Sequence, residues 1–428
     1  MNAPMRRNRI GGGKFIYRAK NEVKELNLPP FFASMILLAS VLAAWAGEPT
    51  ILGRPPAELA EFFAPPEHYR SDFGIFRSPL IFTDGTQVQN RSDWLRRRQE
   101  ILSTWHNIMG PWPPLIERPR VEVLNTSRRE SITQQHLRIE IALGREMVDA
   151  LLLIPGGEAP AQKRPAVLVV YYDAETGVGL GAPFRDYGWQ LAKRGFVALS
   201  IGKPNARIDF NSMNKPRTDP YLGPVGKPVV VEPLSALAYA AANAHTVLAR
   251  RPEVDPVRIG IVGHSFGGKW AMFASCLYDK FACAVWSDPG VVFDERDRRK
   301  QNPGGSVNYW DVWYLGFELG AIADPKTGPF RKLPTEGQSR TGAYKTLVEG
   351  GHDLIELHAL MAPRPFLLSG GTADLPERWS ALNHAIAVNK LLGYDHRVAM
   401  TTRDGHTPTE EANEQVYRFF EGCLRDPK

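Results

Sequence analysis

The chain has 428 residues, 43% hydrophobic and 23% charged, which is ample for a buried core and excludes a disordered chain. Its formal charge is +6, but residues 1–46 hold Arg6, Arg7, Arg9, Lys14, Arg18, Lys20 and Lys24 against only Glu22 and Glu25. The remainder is close to neutral and has no basic stripe to track a phosphate backbone, so no nucleic-acid partner is expected.

Residues 1–46 read as a signal peptide. The basic stretch leads into a largely apolar run, Phe31 to Ala46, that ends in Ala44-Trp45-Ala46, a small-residue pattern signal peptidases accept. That run is shorter than the roughly 20 residues of a bilayer span. A secreted or periplasmic protein with no stable membrane span after cleavage is expected. Residues 47–118 are rich in proline and aromatics, and Ser92 to Met109 has helical spacing through Trp94, Leu95, Ile101, Leu102, Trp105 and Ile108. Arg96, Arg97 and Arg98 are expected on its wet side. This segment reads as an N-terminal helical extension lying against a catalytic domain, 119–428.

Strands and helices then alternate. His136–Ile141 and Val148–Pro155 suggest a hairpin turning at Gly144. Ala166–Tyr171 is a continuous apolar run, as expected of a strand buried on both faces. A helix near Trp189 to Arg194 leads to a strand at Phe196–Ser200, and a helix from Pro233 to Arg250 leads to one at Ile259–Val262. Further strands are expected at Ala282–Trp286, Pro365–Ser369 and Arg397–Met400, with helices at Ala385–Leu392 and Thr409–Leu424. Such alternation implies a mostly parallel central sheet flanked by helices, with ligands held at the carboxyl ends of the strands. Two long strand-end insertions, residues 202–232 and 289–351, would rim that edge. Cys276, Cys283 and Cys423 are expected as buried free thiols.

The most informative run is Gly263-His264-Ser265-Phe266-Gly267. A strand precedes it and a helix-like stretch follows, the context of a nucleophile elbow. A serine hydroxyl needs an adjacent base, and the base needs an orienting acid. His406 is the only one of the ten histidines that lies between the last strand and the last helix, where this fold supplies its base. His264 is expected to point into the domain and support the elbow. Two aspartates compete for the acid: Asp374, after the penultimate strand, and Asp288, after the strand before it. The usual location of the acid favours Asp374. The oxyanion hole is expected from the N–H of Phe266 and a second N–H at Tyr172 or Asp173, each worth about 3 kcal/mol in the transition state. No His-Glu-x-x-His, Cys-x-x-Cys or glycine-rich phosphate loop is present, so neither metal nor cofactor is expected.

Gly263-His264-Ser265-Phe266-Gly267-Gly268-Lys269-Trp270-Ala271 resembles the elbow of glucuronoyl esterases, carbohydrate esterases of the α/β-hydrolase superfamily. Ala362-Pro363-Arg364-Pro365 resembles a motif they share with acetyl-xylan esterases. The resemblance spans roughly residues 258–406. It implies a secreted serine esterase acting on a plant-cell-wall carbohydrate ester, glucuronoyl or acetyl. It also matches Asp288 to a family acid position, which leaves the two aspartates on a par, and matches Lys269 to a lysine that contacts sugar hydroxyls. Phe266 departs from the family, which has arginine directly after the nucleophile. The backbone N–H survives that change but the extra positive charge does not, which points toward a simpler ester. Trp310 and Trp313 are candidates for stacking on a sugar ring or for packing their own loop. Alternatives are a serine peptidase or dienelactone-hydrolase-like enzyme of the same fold, and a non-catalytic glycan-binding envelope protein with a degenerate site.

Overall fold

A computed structural model describes residues 57–425 except 157–162, 205–220, 223–227, 230, 296–306, 312–313 and 318–339. The expected signal peptide, Trp313 and much of both long loops lie outside the described residues.

The apolar runs become strands β1 (Val121–Arg129), β2 (Ile132–Ala142), β3 (Glu146–Pro155), β4 (Arg164–Val170), β5 (Val197–Ile201), β6 (Val254–His264), β7 (Cys283–Ser287), β8 (Phe366–Gly370) and β9 (Val398–Thr402). They form one sheet in the order β1-β2-β3-β5-β4-β6-β7-β8-β9. The pairs β1–β2, β2–β3 and β3–β5 are antiparallel, and every pairing from β5 across to β9 is parallel. Gly144 takes φ 69° where β2 turns into β3, a conformation that costs glycine little.

The helices are α1 (Arg91–Met109), α2 (Tyr187–Lys193), α3 (Pro233–Ala249), α4 (Phe266–Leu277), α5 (Gly342–Glu349), α6 (Ile355–Ala359), α7 (Trp379–Leu391) and α8 (Glu410–Leu424). They cover both faces of the sheet. Ala166, Leu168 and Val170 of β4 face the large core with α1, α3, α4 and α7, while Val167 and Val169 face α2 and α8. This two-sided burial explains why the central strands carry no polar alternation. Among the described residues no helix is long and apolar enough to cross a membrane.

Helix α1 begins at Asn90, whose side chain accepts from the Asp93 N–H at 3.0 Å. Trp94, Ile101, Trp105 and Met109 join the same core as the sheet. The sequence expectation that Arg97 and Arg98 are wet is corrected here, since they are only 3% and 6% exposed. Arg97 turns inward because a buried carboxylate awaits it: its Nη2 lies 3.1 Å from Glu356 Oε1. The Trp105 indole donates to the other oxygen of Glu356 at 2.9 Å, and His352 Nδ1 lies 2.8 Å from it. A buried charge needs this degree of pairing. All three cysteines are buried free thiols.

Candidate active site

Parallel strands bring their carboxyl ends to one edge of the sheet. Tyr172 follows β4, Ser265 follows β6, Asp288 follows β7, Asp374 follows β8 and His406 follows β9. The topology thus gathers residues far apart in the chain.

Ser265 has φ 56° and ψ −110°, a backbone state costing a non-glycine residue about 1–3 kcal/mol. The surroundings enforce it. Its N–H donates to the Ser287 carbonyl at 2.8 Å. A Cβ at Gly263 would lie 2.2 Å from the Gly267 carbonyl oxygen, and one at Gly267 would lie 2.1 Å from that of Val170. Only glycine permits so sharp a turn this close to the end of β4.

His406 Nε2 lies 2.8 Å from Ser265 Oγ, and His406 Nδ1 lies 2.6 Å from Asp288 Oδ2. A carboxylate only accepts, so Nδ1 donates to it and Nε2 is left to accept the serine proton. The imidazole is 21% exposed while Asp288 is fully buried. A buried carboxylate needs donors in place of water. Asp288 Oδ1 accepts the N–H groups of Gly371 at 2.8 Å, Ala373 at 3.1 Å and Asp374 at 3.0 Å. Asp288 itself sits at φ 50°, a second strained backbone in the site.

Of the two aspartates left open by sequence, the geometry brings Asp288 to the imidazole and gives Asp374 other partners. Asp374 accepts the N–H groups of Gly290 and Val291, each at 2.7 Å. It is fully buried, and desolvation, followed by the charge of Asp288, pushes its carboxyl up to about 6. Its role here is to hold the segment that follows Asp288.

The Lys269 side chain is fully buried. The ammonium donates to the Pro289 carbonyl and lies 4.1 Å from the centroid of the Tyr309 ring. Burial lowers its pKa to about 7. Lys269 and Asp374 therefore brace residues 289–291 from two sides. Tyr309 packs inside, donating to the Gly290 carbonyl at 2.7 Å. Trp310 packs edge-on against Tyr344 at 6.3 Å.

His264 points inward, as expected. It is buried, its Nδ1 is 3.1 Å from Ser287 Oγ, and its ring centroid is 4.7 Å from that of His406. Burial holds its pKa well below the usual histidine range. On the other side of the serine, Phe266 is buried and its ring stacks on Tyr172 at 4.4 Å and 9°. Phe266 begins α4, where first-turn N–H groups point out of the helix. Asp173 Oδ1 accepts the Thr176 N–H at 2.7 Å and so turns the chain after β4.

Sequence reasoning did not single out Arg403. Its Nη2 donates to the His406 carbonyl at 2.8 Å, and its Nη1 donates to the Ser369 carbonyl at 2.8 Å and the Gly370 carbonyl at 3.1 Å. The only available signal was an arginine three residues before the histidine. Among the described residues no group of three or more His, Cys, Asp or Glu side chains is arranged to hold a metal ion.

No protein-family model and no curated sequence matches the chain. Solved structures do match its fold. A glucuronoyl esterase from Solibacter usitatus aligns with TM-score 0.60 and 19% identity over 82% of this chain and 98% of that one. A promiscuous CE15 esterase from a marine bacterial metagenome aligns at 0.58 and 16%, over 83% and 99%. A CE15 glucuronoyl esterase from Caldicellulosiruptor kristjansonii aligns at 0.55 and 22%, over 83% and 91%. With a mostly parallel sheet, a serine elbow after β6 and these neighbours, the chain has the α/β-hydrolase fold.

Proposed function

We propose that the protein is a serine carboxylic-ester hydrolase acting through an acyl-enzyme on a carbohydrate-linked ester. The observation that carries this reading is the relay from Ser265 Oγ through His406 to Asp288, with contacts of 2.8 and 2.6 Å. Ser265 attacks the ester carbonyl while His406 Nε2 takes its proton. Asp288 holds the imidazole in the Nδ1–H tautomer and stabilises the imidazolium that forms. The N–H of Phe266 and that of Tyr172 or Asp173 receive the developing oxyanion. His406 then protonates the departing alcohol. Water, activated by the same imidazole, cleaves the acyl-enzyme and regenerates Ser265.

The sugar-ester assignment draws on the elbow motif and on the fold shared with solved glucuronoyl esterases. The aromatic pair Phe266–Tyr172 stands beside the nucleophile, which favours a neutral acyl group such as acetyl over one needing a cation next to Ser265. Trp313 remains a candidate to stack on the sugar. We also propose export, with cleavage after Ala46; amino-terminal sequencing of the exported protein should then read from Gly47.

Replacing Ser265 with Ala should lower kcat by about 10⁶-fold with an unchanged melting transition. The substrate class is read from a panel of methyl glucuronate esters, acetylated xylan and short aryl esters. Undiminished turnover by Ser265→Ala would refute the serine mechanism. Activity confined to aryl esters would remove the carbohydrate assignment and leave the mechanism.

A further inference from the structure

We propose that Arg403 is the positioning residue of this active site, the group that sets where the imidazole of His406 sits. The inference rests on the esterase reading of Ser265 and His406, and it adds a residue that neither the motif nor the fold assigns.

The loop that carries His406 needs such a fastening. Gly405 precedes the histidine at φ 80°, and Asp404, Gly405 and Thr407 are exposed. Solvent faces these three residues, while the Gly405 carbonyl packs close to Gly371 and Pro408 is buried. Arg403 supplies that fixation with all three guanidinium nitrogens. Nη2 donates to the carbonyl of His406 itself, and Nε donates to the Thr407 carbonyl at 3.2 Å. Nη1 grips the end of β8 through the Ser369 carbonyl, the Ser369 hydroxyl at 3.0 Å and the Gly370 carbonyl. The planar fork thus rivets the base loop to the neighbouring strand end, a few residues before the N–H groups that hold Asp288.

A second line runs to the imidazole's flank. Arg403 Nη2 lies 3.4 Å from Ser287 Oγ, and that hydroxyl lies 3.1 Å from Nδ1 of the buried His264. His264 packs against the His406 ring. Arg403 therefore touches the backbone that carries the base and, through Ser287, the ring that flanks it. Among the described residues Arg403 forms no ion pair with a carboxylate, so its charge is directed wholly at carbonyl and hydroxyl oxygens. A lysine cannot reproduce this pattern, because one ammonium cannot span strand end and loop together.

Displacing a reacting group by about 1 Å can cost 10²-fold in rate. Arg403→Ala should therefore lower kcat on p-nitrophenyl acetate by about 10²-fold while KM changes little. Millimolar guanidinium should restore part of the rate in Arg403→Ala and none in wild type. Arg403→Lys should be impaired without rescue. A readout independent of turnover is the far-downfield proton of His406 Nδ1 in its short bond to Asp288. It should be present in wild type and be shifted or lost in both variants. Should Arg403→Ala fail to fold, Arg403→Lys carries the test through the same proton and the same kcat.

Wild-type kcat and an unmoved downfield proton in the folded variants would overturn the proposal. So would a loss of activity that follows the melting temperature and is not rescued by guanidinium. If wild type itself turns over no ester, the esterase reading fails, and the downfield proton still decides whether Arg403 positions His406.

Discussion

Two of the three relay residues sit in backbone states that most side chains avoid, Ser265 at φ 56° and Asp288 at φ 50°. Strain of this kind persists where neighbouring contacts fix it, and it aims side chains that an ordinary turn would point elsewhere. Removing the carboxylate from such a relay leaves the imidazole in the wrong tautomer. Asp288→Asn should accordingly lower kcat by about 10⁴-fold. Asp374→Asn should cause a much smaller loss in kcat and a clear loss of stability, because an amide nitrogen would then face the N–H of Gly290 or Val291. Steady-state kinetics and chemical denaturation of the two variants separate these outcomes, and equal kinetic losses would contradict the assignment. Sequence placed Ser265 and His406 after strands because the turn pattern and the last strand are local signals. It did not choose between Asp288 and Asp374, since both follow strand ends. The choice depends on how the chain turns after β7, and a left-handed aspartate carries no marker in the sequence. The surroundings of Lys269 were equally out of reach: the resemblance matched it to a sugar-contacting lysine, and only the fold shows the Pro289 carbonyl and the Tyr309 ring beside its ammonium.

The segments themselves were legible wherever apolar periodicity was strong. The strand after the elbow and the helix starting at Pro233 fall within a residue of where their patterns predict, while the strand before the elbow begins at Val254, five residues earlier than its apolar run. The missed feature is how α1 docks. Its inward arginine was unreadable because the matching carboxylate, Glu356, lies 259 residues further along. Glu356 is one carboxylate shared by Arg97, Trp105 and His352, and it ties α1 to α6. Taking away one partner of a buried ion pair costs about 3–5 kcal/mol. Glu356→Ala should lose stability of that order by denaturant titration, while kcat on a small ester changes little in the folded fraction. A variant as stable as wild type would show that α1 is held by apolar packing alone.

Titration of the whole molecule reflects its buried groups. Lys269 has a pKa of about 7 in the folded state against an ordinary value of 10.5. Between those values the unfolded chain binds the proton and the folded chain does not, so this group's contribution to stability rises with pH. The stability of wild type relative to Lys269→Met should therefore increase from pH 7 to pH 9 in urea titrations. A flat difference would mean that the ammonium stays charged inside. In the acid direction, burial holds His245 near 4 and His358 near 3. Below about pH 6.5 the unfolded chain gains protons that these two refuse, and each favours unfolding as the pH falls. Asp374, raised to about 6, works the other way between its ordinary value and that one. Both faces of the sheet, the braced loops after β7 and β8 and the pinned loop after β9 converge on the oxygen of Ser265. The most direct measurement is covalent: treat the folded protein with a fluorophosphonate and locate the adduct by peptide mass spectrometry. Stoichiometric labelling at Ser265, lost in Ser265→Ala and strongly slowed in Asp288→Asn, is the predicted result. An unlabelled wild-type protein, or an adduct on another residue, would contradict the account.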